Sequence, residues 1–176
     1  TPRSGGIPSG TVGAVDSGRM GGLGVTVVTH SQLVLAQQWH AQRRALHEEW
    51  AWHIGDWACV AKEQPEEGDI CLVEHVWEGL LEVRGTGAVP SAPALREPAD
   101  RFFPLPSWEQ GRAWLRQHGW GFPYCTTDRM TITWFFEPFQ TDLDELLSAQ
   151  GLTDLECLYA VMLQVSERES RLSGSH

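Results

Sequence analysis

Between Leu35 and Ala61 the apolar residues change their period, and that change restricts the fold more than any other feature of the chain. Leu35, Trp39, Leu46 and Trp50 recur at helical spacings and share one face. After Trp50 the pattern alternates: Trp50, Trp52 and Ile54 point one way, with Ala51 and His53 between them. Trp57, Cys59 and Ala61 alternate again beyond Gly55-Asp56. A helix from a Ser31 cap to about Glu49 therefore feeds a tight hairpin, with Gly55 supplying the positive φ of a two-residue turn. The competing reading continues the helix to Ile54, with Gly55 as its C-terminal cap.

The alternation recurs downstream. Residues 62–69 form a charged loop. Residues 70–77, a Glu78-Gly79 turn and the LLEVRG stretch complete a four-stranded antiparallel meander over residues 50–85. Residues 86–106 hold five of the ten prolines and read as one long connection. Ser107 with Gln110 is a capping box, and Gly119 stands where a helix-ending glycine belongs. Trp120, Phe122 and Tyr124, a TTDR turn, then Met130, Ile132, Trp134 and Phe136 spell a second hairpin. A short helix is expected from Thr141 to Gly151, carrying Leu143, Leu146 and Leu147. Another opens at the Thr153/Glu156 box and carries Leu155, Leu158, Tyr159 and Met162.

The expected fold is thus α+β: an antiparallel sheet, made of an N-terminal meander and a C-terminal hairpin, covered by three to four helices. Residues 1–24, with eight glycines, read as a flexible leader; 25–170 as a single domain with its Pro-rich connection at 86–106; 171–176 as a frayed tail. The leader's glycines follow no strand, so they make no dinucleotide fingerprint.

Charge narrows the function classes. The formal net charge is −10, lysine occurs once, at Lys62, and the only adjacent basic pair is Arg43-Arg44. Such a surface repels duplex nucleic acid. No stretch is long and apolar enough for a membrane span, and no signal-peptide pattern is present, so a cytoplasmic protein is expected. Cys59, Cys71, Cys125 and Cys157 form no CxxC pair and read as buried thiols, over a disulfide or a metal role.

Four constellations could carry chemistry. His40, His47, Glu49 and His53 are the metal candidates. His40 and His47 share a side of the helix but stand roughly 10 Å apart along its axis, too far for one zinc to bridge directly. Cys71 with His75, on one strand face but four residues apart, and Cys125 with His118 are the thiol candidates. The acidic clusters at Glu66-Glu67-Asp69 and Asp142-Asp144-Glu145 read as a solvated loop and a helix first turn. Trp120, Phe122, Tyr124, Trp134 and Phe136 could form an aromatic platform for single-stranded nucleic acid. No cofactor and no catalytic residue is assigned.

The leading expectation is an acidic, tryptophan-rich protein-interaction module without catalytic activity, suited to a basic partner, with self-association open. Its candidate surface is Trp50, Trp52, Trp57, Trp77, Trp120, Tyr124 and Trp134. The alternatives are a small metal-dependent enzyme using the first helix's histidines and a single-strand nucleic-acid binder using the aromatic hairpin.

Overall fold

A computed structural model describes residues 28–88, 91–140 and 145–175. The leader expected over 1–24, Leu143 and the acids Asp142 and Asp144 lie outside the described residues, as does His176 at the end of the expected tail.

The described residues are α+β, with three helices and two antiparallel sheets where a single sheet was expected. Helix α1 (His30–Ala45) begins at Thr29, not Ser31. The Thr29 hydroxyl accepts from the Gln32 amide at 3.2 Å, and the Gln32 side chain accepts from the Thr29 amide at 2.9 Å. The helix ends four residues short of Glu49. The Leu46 amide closes on the Gln42 and Arg43 carbonyls, His47 takes φ 58°, and the Glu48 amide folds back onto the Arg43 carbonyl. Leu46 and Trp50 therefore leave the helical face, and the buried face is Gln32, Leu33, Ala36, Trp39 and Arg43.

No strand covers residues 50–54, so the expected tryptophan hairpin is absent. A turn stands there instead, organised by Asp56. Its carboxylate is buried and accepts three hydrogen bonds, from the His53 amide (2.9 Å), Trp50 Nε1 (3.2 Å) and Gln110 Nε2 (2.7 Å). Gly55, at φ 92°, makes the reversal. A buried carboxylate needs its partners. Supplying two of them from Trp50 and His53 draws this segment away from any strand ladder.

Strands β1 (Trp57–Val60), β2 (Ile70–Trp77), β3 (Leu80–Gly85), β4 (Leu95–Pro98) and β5 (Phe102–Pro104) form the first sheet, in the order β4-β3-β2-β1-β5. The Pro-rich connection thus supplies both edge strands. Their prolines close the strands at Pro98 and Pro104, positions that need no inner-ladder donor. A single 3-10 turn, Ala99–Arg101, joins β4 to β5 although they occupy opposite edges. Three residues span about 10 Å, so the sheet curls until its edges nearly meet, as in a small, partly open barrel.

Curling gives the sheet an inside. Ala58, Val73, Leu81, Val83 and Phe102 form a small core there, closed by Trp52, Val60, Cys71 and Ala99. A bulge between Val73 and His75 lets Val76 pair with Leu81 on the inner face, at its exposed end. It also puts Cys71 and His75 on opposite faces, correcting the expectation that they share one.

Helix α2 (Trp108–Gln117) has the expected Ser107/Gln110 capping box, and Gly119 follows it at φ 89°. Strands β6 (Trp120–Asp128), β7 (Thr131–Pro138) and β8 (Leu147–Gly151) form the second sheet, in that order. The β6–β7 hairpin turns at Arg129-Met130, with Arg129 at φ 55°, slightly beyond the expected TTDR. Leu147–Gly151 is a strand, not the end of a helix. Leu147, Ala149 and Gly151 are buried while Ser148 and Gln150 are exposed, a period of two.

Helix α3 (Asp154–Ser173) starts at Thr153, whose hydroxyl accepts from the Glu156 amide. It runs parallel to α1. Thr29 meets Glu156 at their starts, and Gln42 meets Ser170 near their ends. These helices, α2, the second sheet and the outer face of β1 and β5 enclose the main core. Trp39, Phe103, Leu115, Phe136, Leu158 and Met162 lie within it. Each such side chain contributes roughly 1.5–3 kcal/mol by leaving water. The Tyr159 hydroxyl is buried there and donates to the Pro106 carbonyl at 2.6 Å.

Candidate functional site

The mouth of the curled sheet faces the C-terminal half of α1, and between them lies a groove of about 380 Å³. Its floor is Leu81 and Ala99 of the small core, with Val76 beside them. Trp50 and Trp52 form one wall, in the segment pinned by Asp56. His40 and Arg44 of α1 form another. Trp77, Gly79 and Pro98 make the rim, and the carboxylates of Glu49 and Asp100 open onto it.

Each part is held by local chemistry. Trp50 packs edge-on against buried Trp39, with ring centroids 5.9 Å apart, and donates to Asp56. Trp77, 41% exposed, stacks on His75 at 5.6 Å and carries the Arg96 guanidinium at 4.6 Å. Arg96 and His75 both reach Glu82. Burial, with a smaller push from Arg44, lowers the His40 pKa to about 4, so the groove holds a neutral imidazole at pH 7.

The groove sorts the residues singled out from the sequence. Of the metal candidates it gathers His40 and Glu49. His47 and His53 lie outside it and are exposed. Among the described residues no three His, Cys, Asp or Glu side chains come together in a way that could hold a metal ion. Of the interaction candidates it gathers Trp50, Trp52 and Trp77. Trp57 packs against the main core, and Trp120 is buried within it. Trp134 donates to Asp154 at 2.8 Å and lies 4.5 Å from Trp108. Tyr124 stands on the second sheet, stacked on Phe135 at 4.9 Å. On the hairpin platform, Phe136 is buried beside Trp134, and Phe122 leans edge-on against Phe139.

The thiols divide. Cys59 and Cys157 are buried, and burial raises their pKa values to about 12 and about 11. Cys71 is half-buried and also raised by burial. Cys125 is exposed, against expectation, on a stretch of β6 whose residues from Tyr124 to Asp128 are all exposed. All four are free.

One cluster was missed from sequence. Arg43, 5% exposed, donates to Glu48, Glu169 and Ser166, and its guanidinium lies 5.0 Å from the Trp114 ring. His118 stacks on Trp114 at 4.0 Å. Its Nδ1 is 2.6 Å from Glu169, and its Nε2 is 3.7 Å from Glu48. Both imidazole nitrogens thus face carboxylates, which leaves neither aimed at a substrate or at Cys125. Burial raises the Glu48 pKa, but hydrogen bonds from Arg43 and Trp114, with the nearby charges of Arg43 and His118, more than offset it and hold the carboxyl below its ordinary value. Parallel α1 and α3 place two negative dipole ends side by side, and Arg43 sits there as the cation. The signal was present: Gln32, Ala36, Trp39 and Arg43 follow the spacing of one helical face.

No helix among the described residues is long and apolar enough to cross a membrane. Comparisons of the chain with protein-family models, with curated proteins and with solved structures return no significant match.

Proposed function

We propose that this protein is a binding module that holds a basic segment of a partner protein in the groove between α1 and the curled sheet. The observation that supports this most is the meeting of Trp50 and Trp52 in one concavity, with Trp77 on its rim and Glu49 and Asp100 at its edge. Aromatic rings and carboxylates together suit Lys or Arg side chains, through ring faces for the alkyl stem and cation and through charge for the head group. Arg96 already lies over Trp77 in this way. The net charge of −10 favours encounter with a cationic partner.

The test is a titration of the protein with short peptides bearing Arg or Lys, and with matched acidic peptides, followed by tryptophan fluorescence and calorimetry. Cationic peptides saturate the signal, and salt weakens them. Asp100→Arg at the exposed rim reduces affinity without lowering stability. Trp52→Ala reduces it by about tenfold or more, the behaviour of an interface anchor. Failure of every cationic peptide to bind at low salt refutes the proposal.

A further inference from the structure

Four strand edges end the two sheets, and three of them are guarded. The β4 edge carries Arg96, Glu97 and Pro98. The β5 edge is wholly buried and packs under α1. Helix α3 lies along β8, and Gln164 Nε2 donates to the Ser148 carbonyl at 2.9 Å. Such devices keep sheet edges from pairing with other chains.

Pro123 and the bulge between Gly121 and Tyr124 guard only the start of the β6 edge, and Asp128 is the one charge on the rest of it. From Tyr124 to Asp128 every residue is exposed. Residues alternate between the two faces of a strand, so among the described residues this stretch is uncovered on both faces as well as along its edge. Among the described residues, hydrogen bonds join the backbone of 124–128 to β7 alone. Tyr124, Cys125, Thr126 and Thr127 are uncharged in a chain whose net charge is −10, and two of the four are β-branched.

We infer that β6 pairs antiparallel with β6 of a second copy, about a twofold axis at Thr126, joining two three-stranded sheets into one of six. A twofold places each residue opposite its own neighbourhood, with Thr126 facing Thr126, Cys125 facing Thr127 and Tyr124 facing Asp128. Charged strands of one sign repel across such an axis. This stretch avoids that repulsion, since its one carboxylate, Asp128, faces Tyr124. The Tyr124–Phe135 stack lies on the face that the joined sheets share. The groove lies elsewhere and stays open, so the pairing is independent of the proposed peptide binding.

Sedimentation of the wild-type chain over a wide concentration range tests this. The expected mass rises with concentration to about twice the 19.7 kDa of one chain. Thr126→Lys and Thr126→Asp each sediment as monomers, and mixing the two restores the dimer, because unlike charges then face one another. Hydrogen exchange on the wild type serves where a variant fails to fold: amides of 124–128 gain protection at high concentration and lose it on dilution. A wild type that stays monomeric into the millimolar range overturns the inference, even if it takes up an extended peptide along β6. A dimer that survives in both charged variants, each folded by circular dichroism, also overturns it, as does a dimer whose 124–128 amides gain no protection.

Discussion

The molecule has two hydrophobic cores of unequal make-up. The main core is enclosed by all three helices, by the second sheet and by the outer face of the first. The small core is enclosed by one curled sheet, with Trp52 and Ala99 at its open end. The main core is sealed, whereas the small one has a mouth, and the groove is that mouth. A sheet that must close upon itself with five short strands leaves an end unfilled. What fills the end here is aromatic and only half-buried. The contrast teaches where binding capacity arises in such a fold: at the element that covers itself, beside the element that others cover.

The largest expected effect probes the sealed side. Arg43→Ala leaves Glu48 and Glu169 without their buried cation and costs about 3 kcal/mol or slightly more, the lower end for a buried pair because both carboxylates keep part of their surface in water, measured by urea denaturation. Leu81→Ala probes the open side. It removes a fully buried side chain from the floor of the groove and costs about 3 kcal/mol. It also weakens peptide binding, whereas Arg43→Ala leaves the groove's own residues in place. If Leu81→Ala lowers stability with no change in binding, the small core and the groove are not one unit.

The third probe is pH. The His40 pKa is lowered from 6.5 to about 4, so between these values the unfolded chain binds more protons than the folded one. Stability therefore falls as pH drops from 6.5 towards 4. The His40 share is about 2 kcal/mol, allowing for the ring's partial exposure. His40→Gln flattens this part of the profile. The Glu48 carboxyl, held below its ordinary value, loses its contribution further towards acid, in the same direction. The smallest effect is at the guarded edge. Gln164→Ala costs about 0.5 kcal/mol and is read best as faster hydrogen exchange in β8.

Where the determinants were local, the sequence was a good guide. Strands β2 and β3, the Ser107/Gln110 box, the β6–β7 hairpin and α3 follow from period, caps and turn glycines. Where they were distant, it was not. The alternation over Trp50–Ile54 looks like a strand, yet Asp56 finds its third partner in Gln110, 54 residues away. The prolines of 86–106 look like a break, yet Pro98 and Pro104 end two edge strands whose partners, β3 and β1, lie earlier in the chain. Leu146 and Leu147 suit a helix as a pair, but burial of Leu147, Ala149 and Gly151 selects a strand. Half of the groove was readable as residue types, in Trp50, Trp52, Trp77, His40 and Glu49. Its other half, Leu81, Pro98 and Asp100, is brought there by topology.

The parallel pairing of α1 and α3 has a consequence for how the main core assembles. Thr29 and Glu156, which meet at the starts of the two helices, stand 127 residues apart in sequence, so seating α1 on α3 closes a loop of that length. Assembly of this core therefore hinges on a non-local step, and its rate follows topology more than the propensity of either helix.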